Sequence, residues 1–154
     1  MAVGDASDAV AALDGKRFDL VIFCAREFGP PPQSLLDSSS ARHTRAYHVP
    51  LRDGHLTEEE TFLAANAANY ASKAFASGER VLVTCMVGKN RSPLLVALAY
   101  HMITGDGGAE ALRHVRERRT RLDGWALENP MFVKLLLNLA PRRARPSGLL
   151  GARA

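Results

Sequence analysis

Val81-Leu82-Val83-Thr84-Cys85-Met86-Val87-Gly88-Lys89-Asn90-Arg91-Ser92-Pro93 is the stretch that decides the fold. It reads as strand, tight loop, helix. Arg80 to Thr84 is a short, nearly continuous apolar run, as expected for a strand buried on both faces. Cys85 follows at its end. Gly88 allows a sharp turn and close approach of the backbone to a ligand. Ser92 then Pro93 signals a helix start: a capping hydroxyl, then a residue whose missing N–H costs nothing in the first turn. The loop amides and a helix N-terminus then point at one spot. Such a cradle favours an anion.

Cys85 and Arg91 bracket the cradle, with five residues between them. A thiolate is the reactive form of cysteine, and a helix N-terminus with a neighbouring cation lowers its pKa from roughly 8.5. Arg91 offers a planar fork that matches two phosphate oxygens at once. Gly-Lys-Asn is not a Walker loop, because no Ser or Thr follows Lys89 and the upstream glycine is missing. The string resembles the signature of the cysteine-dependent protein tyrosine and dual-specificity phosphatases, His-Cys-x5-Arg-Ser/Thr with a glycine midway. Cys85, Gly88, Arg91 and Ser92 match it. Thr84 stands where that family usually has histidine, a residue that braces the loop and tunes the cysteine. The resemblance implies that Cys85 is the nucleophile, that Met86, Val87, Gly88, Lys89, Asn90 and Arg91 form the phosphate-binding loop, and that Ser92 donates to the sulfur. It implies no metal and no cofactor.

Outward from this stretch, Phe18 to Ala25 is a second buried strand, with Cys24 at its end. Cys24 is expected in the core; a sharper role would be to protect Cys85 as a disulfide partner. Residues 7–14 suit a short opening helix, and Glu27 to His43 is an irregular loop with a turn of helix at Gln33 to Asp37. Arg45 to Leu51 is a third strand. Thr57 and Glu60 form a capping box for a helix running to about Ser77, with Leu63, Ala67, Tyr70, Ala71, Ala74 and Phe75 as its apolar face. Asp53 lies between that strand and that helix, 32 positions before Cys85. The family places its mobile general acid in such a loop, so the resemblance assigns the acid to Asp53. An alkoxide or phenoxide needs one, and a positioned acid contributes roughly 10²–10⁴-fold. Glu58, Glu59 and Glu60 complement the helix dipole, and His55 faces solvent. Pro93 to Ile103 is apolar almost all round and reads as a central helix. Asp106 caps a helix over about 108–119 whose Arg113, Arg116, Glu117 and Arg119 face water. After a loop carrying Trp125, Asn129-Pro130 opens a last helix, with Phe132, Leu135, Leu136 and Leu139 inward.

The class is therefore α/β: a mostly parallel sheet of about four strands with helices on both faces, similar to the dual-specificity phosphatases. The resemblance covers roughly residues 18–140. A single catalytic domain is expected over 1–140, followed by a basic, disordered tail over 141–154. The formal charge of +4 is carried by Arg142, Arg143, Arg145 and Arg153; residues 1–140 balance. A general nucleic-acid surface is thus not supported. With 47% apolar and 23% charged residues the composition is that of a soluble globular chain. No run approaches the roughly 18 apolar residues of a membrane span, and no signal peptide is visible. Two cysteines 61 positions apart make no disulfide framework, so a cytoplasmic location is expected. The resemblance implies a phosphorylated protein or another phosphomonoester as partner, with oligomeric state open. Four alternatives share the loop. Asn90 and Lys89 match, one residue each, the RNA 5′-triphosphatases and phosphoinositide phosphatases of the superfamily. Thr84 suits a catalytically weak phosphate-binding module. A sulfur-transferase or arsenate-reductase-like thiol enzyme would not need Asp53.

Overall fold

The computed structural model describes residues 1–4, 18–28, 44–120 and 125–142. Four strands, β1 (Ala2–Gly4), β2 (Leu20–Ala25), β3 (Arg45–Leu51) and β4 (Val81–Thr84), form one sheet in the order β1-β4-β2-β3. Every pairing is parallel. β2 and β4 lie inside the sheet and are buried along their whole length, which is why both read as unbroken apolar runs. β1 was not foreseen. Three residues ending in glycine are too few to show a period, yet the strand closes the site: its Gly4 carbonyl accepts the Cys85 N–H at 3.3 Å.

Among the described residues there are four α-helices: α1 (Glu58–Ala76), α2 (Arg91–Thr104), α3 (Gly108–Thr120) and α4 (Pro130–Leu137). The capping box at the head of α1 forms as expected, Thr57 Oγ1 accepting the Glu60 N–H and Glu60 accepting the Thr57 N–H. The buried face of α1 is a stripe of Ala64, Ala67, Ala68, Ala71 and Ala74. Phe75, expected inward, sits at the edge of that stripe and is 42% exposed. The small residues let α1 lie close to the sheet and to α2. α2 buries Leu94, Leu95, Ala97, Leu98 and Ala99; burying one leucine fully contributes about 1.5–3 kcal/mol. It ends at Gly105 in the left-handed conformation. The α2–α3 link is packed as well, with the Arg142 N–H donating to the Gly105 carbonyl at 2.8 Å. Asp106, read as a cap for α3, accepts from the Tyr100 hydroxyl at 3.0 Å. Asn129 caps α4, accepting the Met131 N–H, with Pro130 in the first turn.

One core cluster joins Leu20, Ile22, Val81 and Val83 of the sheet to residues of all four helices. The other face of the sheet carries Val21, Phe23 and Leu82, packed by Phe18 and Phe28. The opening helix expected over 7–14, most of the loop after Phe28 and the tail beyond Arg142 lie outside the described residues. Among the described residues no helix is long and apolar enough to cross a membrane. The start of α2 departs from the sequence expectation. Its N-cap is Asn90, without a side-chain cap bond, and Ser92 lies within the first turn. Ser92 is fully buried and turns its hydroxyl toward Cys85 rather than capping.

Candidate active site

Three strands end on one side of the sheet, and each releases a site residue just past its carboxyl end. β4 delivers Cys85, β3 delivers Asp53, and β2 delivers Glu27 within a 3-10 turn, Arg26–Phe28. Parallel sheets bind ligands at this edge.

The loop curls around the Cys85 sulfur. Ser92 Oγ lies 3.2 Å from Sγ and 3.3 Å from the Gly4 carbonyl. With the sulfur ionised, its single proton goes to the sulfur. The Cys85 thiol is lowered from 9.0 to about 5: the Cys24 thiol hydrogen-bonds it, as do the Ser92 hydroxyl and the N–H groups of Ser92 and Gly88, against the opposing effect of burial. Cys24 is itself buried, and desolvation pushes its own thiol well up. Its Sγ donates to the Thr84 carbonyl at 2.8 Å. Cys24 is thus in the core, as expected, but beside the nucleophile. Thr84 Oγ1 is buried without a partner, so the threonine side chain does not brace the loop.

Bracing comes from elsewhere. The Lys89 carbonyl accepts the Leu127 N–H at 2.8 Å. Asn90 Oδ1 accepts the N–H groups of Glu128 and Asn129 at 2.9 and 3.1 Å. Arg116 donates to the carbonyls of Ala126 and Leu127 at 3.2 and 2.8 Å. Arg119 lies behind Gly88: a Cβ on that glycine, which has φ +70°, would stand 3.1 Å from Arg119 Nη2 and 3.2 Å from the Gly4 carbonyl. Arg116 and Arg119 therefore do not simply face water, in contrast to the helix-face expectation; Arg113 does, paired with Glu110 and Glu117.

Arg91 is only 4% exposed. Its Nη1 donates to the Glu27 carboxylate and to the Leu51 carbonyl, the latter at 3.2 Å. Its Nε is buried with no partner. A buried donor left unmade costs about 1–3 kcal/mol, and more on a charged group. A bound oxyanion would satisfy it. Glu27, whose own carboxyl is lowered by the Arg91 hydrogen bond, is the residue that sequence reasoning missed. The available signal was an acid just past the end of a buried strand.

Asp53 is brought to the loop. Its Oδ2 accepts from Asn90 Nδ2 at 3.2 Å and its Oδ1 from Asn129 Nδ2 at 3.1 Å. Glu60 is committed to its cap and to Arg52. Glu58, Glu59 and His55 are exposed. In the loop itself Met86, Val87 and Lys89 are exposed and Gly88 is buried.

No curated protein matches the chain by sequence. Solved structures share its fold. Human DUSP28 superposes with a TM-score of 0.64 at 22% identity, over 85% of this chain and 80% of that one. DUSP15 gives 0.67 at 20%, over 88% and 79%. OH1 from the Orf virus, described as a tyrosine phosphatase with triple substrate specificity, gives 0.63 at 23%, over 88% and 79%. The family model of the dual specificity phosphatase catalytic domain matches residues 2–140, nearly the whole chain. The chain therefore belongs to the dual specificity phosphatase family and is a cysteine-dependent phosphatase.

Proposed function

We propose that this chain hydrolyses phosphomonoesters on proteins through a cysteinyl-phosphate, accepting phosphotyrosine and phosphoserine or phosphothreonine. The observation that carries the reading is the buried Nε of Arg91, which has no partner within the fold, in the loop that also places Ser92 Oγ 3.2 Å from the Cys85 sulfur. A phosphate dianion seated in the loop accepts from the backbone N–H groups and from Arg91. The Cys85 sulfur attacks phosphorus in line, forming S–P as the P–O bond to the leaving group breaks. Asp53 gives its proton to the departing oxygen. A water then attacks phosphorus, Asp53 takes its proton, S–P breaks, and the Ser92 hydroxyl stabilises the returning thiolate. Arg91 and the amides hold the equatorial charge, where most of the catalysis of phosphoryl transfer lies.

The exposed Met86 and Val87 leave an apolar rim that suits an aryl leaving group. Asn90, the residue shared with RNA 5′-triphosphatases, is spent on internal hydrogen bonds to Asp53 and to residues 128–129. Thr84 suits a weak phosphate-binding module; a Cys85 thiol lowered to about 5, with Ser92 Oγ 3.2 Å from its sulfur, favours the enzymatic reading. Cys85→Ser should abolish turnover of para-nitrophenyl phosphate while keeping vanadate or phosphate binding. Turnover surviving in that variant would exclude the nucleophile. A panel of phosphopeptides, phosphoinositides and 5′-triphosphorylated RNA, assayed with the wild-type chain, decides among substrates.

A further inference from the structure

We propose that Asn90 and Asn129 are positioning residues that latch the acid loop onto the signature loop and set the orientation of the Asp53 carboxyl. This rests on the reading of Asp53 as the acid.

Each asparagine has its amide orientation dictated by backbone. Asn90 Oδ1 takes the N–H groups of Glu128 and Asn129, and Asn129 Oδ1 takes the N–H of Met131. A flip of either amide would set NH₂ against N–H. Both Nδ2 groups are therefore left to donate, and both donate to Asp53, one to each oxygen. Two donors on two oxygens fix the plane of the carboxyl as well as its place. The platform beneath is rigid for local reasons. Leu127 holds a left-handed φ of 58°, uncommon for a branched residue. Its N–H is tied to Lys89 and its carbonyl to Arg116. α3, the 126–129 segment, the signature loop and the acid loop thus form one hydrogen-bonded chain ending at the proton donor. A donor misplaced by about 1 Å can lose two orders of magnitude.

The test separates this role from a structural one. Asn129→Ser keeps a good helix cap and removes the donor to Asp53. Asn129→Thr, another N-capping residue, removes the same donor in a second way. The rate on phenyl phosphate, a poor leaving group, should fall roughly tenfold to a hundredfold. The rate on para-nitrophenyl phosphate should fall much less, with vanadate inhibition unchanged. In an Asp53→Asn background, adding Asn129→Ser should cost nothing further, since the group it positions is gone. Equal losses on both substrates, or losses that multiply on top of Asp53→Asn, would overturn the latch and leave the asparagines as scaffold. If Asp53→Asn alone shows no added dependence on the leaving group, the acid assignment itself fails, and the latch fails with it. Asn129→Thr provides an independent arm should Asn129→Ser fold poorly.

Discussion

The surroundings of the Cys85 sulfur, the Cys24 thiol, the Ser92 hydroxyl and the loop amides, favour its charged form. Cys24 is pushed up by burial while Cys85 is drawn down to about 5, so at neutral pH one sulfur holds a proton that the other can accept. Only the thiolate is alkylated at an appreciable rate. The rate of iodoacetate inactivation should therefore rise with pH to a half-maximum near 5, well below the roughly 8.5 of a free cysteine. Cys24→Ala removes the leading donor and should move that midpoint upward. An unmoved midpoint would shift the tuning to Ser92 and the loop amides. The family histidine is absent at Thr84, and the buried thiol offers a physical substitute for its electrostatic part. Arg91 follows the same logic: Glu27 and Leu51 occupy Nη1, and the buried Nε, without a partner in the fold, is a donor that an oxyanion would satisfy.

Among the elements, those with strong local signals were legible before any coordinates. β2 and β4 announced themselves as unbroken apolar runs, α1 by its capping box, and α4 by Asn-Pro followed by an apolar face. What stayed hidden depends on contacts distant in sequence. β1 has only three residues. Glu27 acquires meaning only when β2 and β4 lie side by side. Arg116 and Arg119 sit on a helix face that reads as solvated, yet Arg119 lies against Gly88 and Arg116 holds the carbonyls of residues 126 and 127. Ser92 looked like a cap because Ser-Pro is a helix-start signal, but its hydroxyl serves the sulfur instead. The packing of α3 on α4 is similarly silent in sequence and severe in space: a Cβ at Gly108 would stand 1.7 Å from the Leu136 carbonyl oxygen. Backbone cannot yield as a side-chain tip can. Gly108→Ala should therefore destabilise the chain by more than about 2 kcal/mol, at the upper end of overpacking penalties, read as a drop in urea midpoint. A near-neutral result would mean that the two helices are free to separate.

For the molecule as a whole, ionisation of the nucleophile is also a folding term. Stability rises with pH wherever the unfolded chain binds more protons than the folded one. Cys85 is lowered in the fold from 9.0 to about 5. Between those values the unfolded chain keeps the Cys85 proton and the folded chain has lost it, so stability increases across the window. The contribution is fully present above about 9 and disappears as pH falls through 5. Paired carboxylates titrate too: Glu27 and Asp19 are lowered by hydrogen bonds from Arg91 and Arg80, and they complicate any single acid unfolding curve. Comparison with Cys85→Ser cancels them, because both chains carry them. Urea midpoints measured from pH 5 to 8.5 should show wild type gaining on Cys85→Ser as pH rises, the two converging at the acid end. A constant gap would mean that the sulfur is not ionised in the folded protein, and the thiolate mechanism would lose its ground. The expected sign is unusual for a catalytic group. Functional residues commonly strain the fold, and removing them stabilises it. Here the hydrogen bonds that make Cys85 a nucleophile are made to its charged form, so deleting the sulfur should weaken the fold most at the alkaline end of the range.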